Sequence, residues 1–185
     1  MPCWIKRSAY FPPQRHLLVG VFTRFTIGAN SLLMRPFSGK PIPIYVGKAV
    51  PAGGRKGGDS LSGEDLEAVM LTEPNPGHVL YKRLGEHADS IAAATNLKSE
   101  DFRCHYLAVT PIWITFSEGI LIRKFRPVWN VLVNGFGNHD VGKGRHKQRR
   151  SEWDEIHPGR EWATRCQPAA LPAAGIIAKI RAAAR

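Results

Sequence analysis

The chain has little cysteine, no long apolar run and few acids for its number of bases. Its three cysteines, Cys3, Cys104 and Cys166, are scattered and never spaced as CxxC. That pattern speaks against a disulfide framework or a Cys-based zinc site and fits a reducing, cytoplasmic setting. No hydrophobic run approaches the ~20 residues of a membrane-spanning helix, so no membrane partner is expected. The basic N-terminus lacks an apolar stretch followed by a cleavage site, so no signal peptide is expected either. Glycine is dense from Pro51 to Gly63, yet no Gly-Lys-Ser/Thr follows, which rules out a phosphate-cradling P-loop. Internal repeats are absent.

Hydrophobic residues make up 43% and charged residues 22% of the 185 positions, a composition that suits one soluble domain with or without an extension. The charge is lopsided: 26 Lys and Arg face 15 Asp and Glu, leaving +11. Such a surplus points to a polyanionic partner, because each cation placed on a phosphate releases condensed counterions. Nucleic acid is the first candidate partner. A solubilising charge or a basic tail is the plain alternative, with a membrane surface behind it.

Residues 1–16 mix aromatics, prolines and cations without a period and are expected to be irregular. Two segments rich in β-branched and aromatic residues, 17–27 (LLVGVFTRFTI) and 42–50 (IPIYVGKAV), predict strands able to pair antiparallel. The spacing of apolar residues predicts a helix over 78–94, a strand over 102–110 (FRCHYLAVT), and a second helix over 112–125. VWNVLV (128–133) is a short apolar run ahead of the glycine-rich, cationic stretch NGFGNHDVGKGRHKQRR, and 175–184 predicts an alanine-rich helix. The order β-β-α-β-α predicts an α+β domain, a small, mainly antiparallel sheet flanked by helices. The expected division is an irregular 1–16, a core over 17–134, and a basic loop with C-terminal extension over 135–185.

Within this layout several polar residues stand out. Glu118 shares a helical face with Leu121, Ile122 and Phe125, where a charge is rarely buried unless paired or metal-bound; a partly exposed Glu near a helix start is the plain alternative. Arg83 and His87, four apart, project from one helix face, whether as a phosphate clamp and proton relay or as a solvated surface. Glu86 is expected to point elsewhere. Asn130 is a polar misfit in an apolar run, either a turn former or a polar anchor. Lys143, Arg145, Lys147, Arg149 and Arg150 form a strip suited to backbone phosphates, while Asn134, Asn138, His139 and Gln148 are candidates for reaching base edges. With Tyr45 on a strand beside the Arg55–Lys56 loop, the set contains a base, positive charge and one carboxylate. Phosphodiester hydrolysis needs these, usually with a divalent metal. Paired acids for a two-metal nuclease are lacking, so a single metal on Glu118 is the economical arrangement.

The ordered motifs IYVGKAV, KRLGEH, SEGILI and RPVWN resemble the GIY-YIG nuclease superfamily, most closely its type II restriction endonucleases that cut CCGCGG. The segments GFGNHDVGKGR and SEWDEIHPGREWA look like that subgroup's C-terminal part. The resemblance implies that Tyr45 contacts the attacking water or scissile phosphate and that Arg83 stabilises phosphate charge. It likewise implies that His87 lies near the nucleophile, that Glu118 binds Mg2+ (or Mn2+), and that Asn130 shapes the metal and phosphate environment. Lys48 would lie near backbone phosphates. The implied partners are double-stranded DNA, a second subunit in a homodimer, and a cognate DNA methyltransferase as genetic partner.

One departure stands out. The first family motif, Gly-Ile-Tyr, here reads Gly20-Val21-Phe22, and phenylalanine has no hydroxyl to ionise or to hold water. An enzyme relying on His87 or Tyr45 as base, a DNA-binding protein with weak or lost cleavage, and an atypical N-terminal segment are the alternatives. A repair or mobile-element nuclease of the same superfamily is a further one.

Overall fold

The computed structural model describes residues 19–20, 43–50, 76–109, 111–140, 142 and 147–183. Helix α1 (Pro76–Ala93) and helix α2 (Pro111–Phe125) lie where apolar spacing places them. Both begin on proline, which is favoured at the first helical position because its missing N–H would lack an intrahelical partner anyway. Helix α1 buries Leu80, His87, Ala88 and Ile91, one face at helical spacing. Beyond its end, Thr95 N–H donates to Pro158 O at 2.8 Å, tying the helix terminus to the C-terminal part of the chain. Helix α2 stops at Arg126, whose φ of 45° is left-handed, and Pro127 forbids continuation.

A single turn, α3 (Val128–Val131), carries Trp129 and Asn130. Helix α4 (Glu152–Ile156) is capped by Ser151, whose hydroxyl accepts from Asp154 N–H and donates to Asp154 Oδ2 at 2.6 Å. The short α5 (Glu161–Thr164) follows, and α6 (Ala173–Ala183) packs back on α4, confirming the expected terminal helix.

The expected sheet is not found. Among the described residues, strand structure amounts to β1 (Val19–Gly20) paired antiparallel with β2 (Leu107–Ala108), Val19 opposite Ala108, plus one isolated bridge between Arg149 and Gln167. The α+β expectation therefore gives way to a mostly helical architecture among the described residues. The physical reason is visible at two segments. Residues 43–50 form no ladder with a described strand, and the Val46 N–H, Val46 O and Ile44 O instead pair with Asn130 and Trp129. The expected strand over 102–110 follows a 3₁₀ turn (Ser99–Asp101), and only its last part pairs. Strand propensity was present in both, but among the described residues a ladder partner meets only Leu107–Ala108. Most of the strand expected over 17–27 lies outside the described residues.

The core is aromatic. Trp129, Phe136 and Trp153 are fully buried, with centroids 4.6 Å (Trp129–Phe136), 5.3 Å (Phe136–Trp153) and 5.7 Å (Trp129–Trp153) apart. The same cluster takes in Ile44 and Tyr45 from segment 43–50, Ile91 from α1, and Ile176 and Ile180 from α6. Residues on both sides of position 135 thus share one core.

Candidate active site

Tyr45 is buried at the edge of that core, its ring edge-on to His87 (5.2 Å) and to Phe136 (4.8 Å). Its position is fixed by its neighbour. Asn130 Nδ2 donates to Val46 O and Val46 N–H donates to Asn130 Oδ1, both at 2.8 Å, while Trp129 N–H donates to Ile44 O at 2.9 Å. The Asn130 amide thus imitates a strand neighbour on Val46, and the Trp129 backbone N–H holds Ile44 on the other side of the tyrosine. The next residue but one must be small, since a Cβ on Gly47 would lie 2.7 Å from the Tyr45 ring. This explains the Tyr-x-Gly spacing in steric terms. Burial raises the Tyr45 pKa above its usual value, with the Arg83 charge and hydrogen bond opposing it. The hydroxyl is therefore a donor at neutral pH.

His87 is 2% exposed and stacks on Phe136 with centroids 4.7 Å apart. Burial, reinforced by the charges of Arg83 and Arg160, pushes its pKa well below the ordinary histidine value. The imidazole is neutral at pH 7. Arg83, one turn earlier on α1, donates from Nη1 to Glu86 Oε2 at 2.9 Å and to His139 Nε2 at 2.8 Å, and from Nη2 to Gly137 O at 3.4 Å. A guanidinium only donates, so His139 Nε2 accepts here and the proton of that ring sits on Nδ1; the 3.6 Å approach of Glu86 to the same nitrogen is a secondary contact. Arg83 Nε is buried with no hydrogen-bond partner.

Glu86 corrects the sequence expectation, for it turns into the site and pairs with Arg83 at i,i+3. That spacing was available in the sequence and is the signal that could have found it. Two further contributors were missed. The loop Gly135–His139 brings Phe136 under both Tyr45 and His87, and brings Gly137 so close that a Cβ there would lie 2.7 Å from the Tyr45 hydroxyl and 3.0 Å from Arg83 Nη2. Arg160 holds this loop, donating to the carbonyls of Gly135 (3.1 Å), Phe136 (2.5 Å) and Asn138 (3.4 Å) and stacking over Trp153 at 4.2 Å. Its buried charge faces Asp154 Oδ1 at 3.4 Å. No spacing rule marks a buried arginine of this kind, whose partners are carbonyls far back along the chain.

Glu118 sits on α2 with a side chain 20% exposed, its Oε2 3.0 Å from Lys48 Nζ. Lys48 also donates to Thr115 Oγ1 at 3.2 Å. The negative charge of Glu118 is near enough to act on Tyr45. Among the described residues no three His, Cys, Asp or Glu side chains gather as a ready-made metal cage. Magnesium suits a sparser arrangement, since it keeps several waters and commonly takes one or two carboxylates together with phosphate oxygens of a substrate. A single carboxylate in this position fits an ion of that kind.

The structure thus gathers Tyr45, Arg83 and His87 tightly and places Glu118 and Lys48 alongside. Asn130 lies on the Val46 backbone rather than on a reacting group. Asn138 and His139 are exposed on the Gly135–His139 loop, and Lys147 is exposed in a separate turn. Phe22, Arg55, Lys56, Lys143 and Arg145 lie outside the described residues. A family model described as the Eco29kI GIY-YIG domain matches residues 16–184. A comparison with curated proteins finds no match.

Proposed function

Given that the chain belongs to the Eco29kI GIY-YIG domain family, a family of nucleases acting on DNA, we propose that it is a type II restriction endonuclease. It would hydrolyse phosphodiester bonds at a palindromic duplex site, with CCGCGG the first sequence to test. The observation that carries this reading is the convergence of a neutral histidine, a guanidinium and a tyrosine hydroxyl on one short loop, with the Glu118 carboxylate alongside. A palindromic site calls for a two-fold homodimer in which each subunit cuts one strand. A cognate methyltransferase would protect the host site.

The division of labour follows from charge states. His87 is neutral at pH 7, so its ring can accept a hydrogen bond from an attacking water. The negative charge of a bound phosphate would raise its burial-lowered pKa towards that of a working base. Tyr45, with its pKa raised, keeps its proton and serves to orient the water or a phosphate oxygen rather than to ionise. This favours His87 over Tyr45 as the base in a chain where Phe22 stands at the first motif. Arg83 would exchange Glu86 for the phosphate and offset the charge that builds on it. Glu118 would hold a magnesium or manganese ion, which supplies positive charge beside the phosphate oxygens when bound. Asn130 positions Tyr45 through the backbone.

Incubation with plasmid carrying CCGCGG and magnesium is the test, and a discrete linear product is expected. The Glu118→Ala variant should lose cutting by roughly a thousandfold or more while still shifting DNA in a gel. Full activity of that variant would remove Glu118 from the chemistry. The second reading, a DNA-binding protein with weak or lost cleavage, is motivated by Phe22. A salt-sensitive gel shift without any cutting would favour it, and Phe22→Tyr should then restore some rate.

A further inference from the structure

Lys48 and Glu118 stand in an arrangement that a phosphate-binding lysine does not require. The ammonium is seated on α2 by two groups three residues apart, the Glu118 carboxylate at 3.0 Å and the Thr115 hydroxyl at 3.2 Å. It therefore lies where a cation bound by Glu118 would lie. A carboxylate oxygen accepts an ammonium at about 3 Å or a magnesium ion at about 2 Å through the same lone pairs. Both cannot be held there without strong like-charge repulsion at short range.

We propose that Lys48 is a stand-in cation, occupying the divalent-ion position on Glu118 in the DNA-free protein and leaving it when a DNA phosphate draws the ammonium away. The proposal rests on Glu118 being the ligand of the ion. The exchange is physically easy. The lysine side chain is a compact charge on a flexible stem. It is 34% exposed, and a partly exposed ion pair is worth little, so a phosphate can compete for it. Charge is conserved in the process: the ammonium passes from carboxylate to phosphate, and the divalent ion takes its place on the carboxylate. Metal affinity and DNA affinity then rise together by the same factor. The free enzyme would be kept from loading metal without a substrate.

The test is titration of Mn2+ into the DNA-free full-length protein, followed by electron paramagnetic resonance of the unbound ion. Lys48→Met and Lys48→Gln should each bind Mn2+ roughly tenfold or more tightly than the unaltered chain. Adding Glu118→Gln to Lys48→Met should abolish the gain. Two replacements guard against a folding defect in either one, and circular dichroism checks both. Equal Mn2+ affinity in the unaltered chain and both lysine variants would overturn the proposal, as would a gained site that survives Glu118→Gln. The cleavage assay of Glu118→Ala then tells which idea has failed. Lost cutting removes the stand-in role alone, whereas retained cutting removes the metal-ligand reading with it.

Discussion

At the scale of single residues, the site is set by close approach. Gly137 has no catalytic atom, yet its Cα faces the Tyr45 hydroxyl and the Arg83 guanidinium so closely that a methyl group would overlap both, at 2.7 Å and 3.0 Å. Tyr45 is hemmed in by His87 and Phe136 and has no room to retreat, so Arg83 or the loop must shift. A displacement of about 1 Å in such a group costs on the order of a hundredfold in rate. Gly137→Ala is therefore expected to cut DNA about a hundredfold more slowly while folding normally and binding DNA nearly as well. A cleavage time course beside a gel shift checks this, and unimpaired cutting would show that the Tyr45–Arg83 geometry has slack. Sequence reasoning singled out Tyr45 as a tyrosine beside a cationic loop, Arg83 and His87 as a pair on one helix face, and Glu118 as a charge on an apolar face. It passed over Gly137, Phe136 and Arg160, whose roles arise from a loop folded back on distant residues and leave no local mark.

At the scale of elements, helices were readable along their length, whereas of the expected strands only Val19–Gly20 and Leu107–Ala108 pair among the described residues. Helices α1 and α2 satisfy their own backbone groups, so apolar spacing and proline punctuation suffice to place them. Segment 43–50 depends on partners supplied from elsewhere, and residues 42–50 with their β-branched types gave no hint that an asparagine side chain 84 positions away would be one of them. Asn130 consequently has a stability role separate from chemistry. Asn130→Ala strands the N–H and C=O of the buried Val46, at about 1–3 kcal/mol for each group left unsatisfied. Asn130→Asp keeps the acceptor and loses the donor, and should fall between. Urea denaturation of the three proteins gives the order. If Asn130→Ala unfolds at the unaltered urea midpoint but no longer cuts, the asparagine acts on the phosphate environment instead of on Val46.

At the scale of the whole molecule, the surplus of +11 and the cationic strip after residue 142 made a nucleic-acid partner readable from composition, while the core did not announce its most costly feature. Two histidines are buried in it. His157, packed against Trp129 and Trp153 with Nδ1 2.9 Å from Asn96 Oδ1, has its pKa lowered to about 3 by burial and then by the Arg160 charge. His87 is lowered in the same direction for the same leading reason. Both are neutral when folded and titrate near 6.5 when unfolded, so below pH 6.5 the unfolded chain binds more protons than the native one. Their contribution is complete above the unfolded pKa and is lost as pH falls towards the folded values. At pH 5 that amounts to about 2 kcal/mol for His157. Asp154 runs the other way, because burial raises its pKa above 3.8 and the native state then holds the extra proton. Comparing two proteins that both keep Asp154 removes its share. His157→Gln should therefore lose stability less steeply than the unaltered chain between pH 6.5 and pH 4, by about 1 kcal/mol per pH unit, in urea unfolding followed across that range. Parallel curves would mean that the imidazole is already protonated inside the fold, or that water reaches it despite its complete burial.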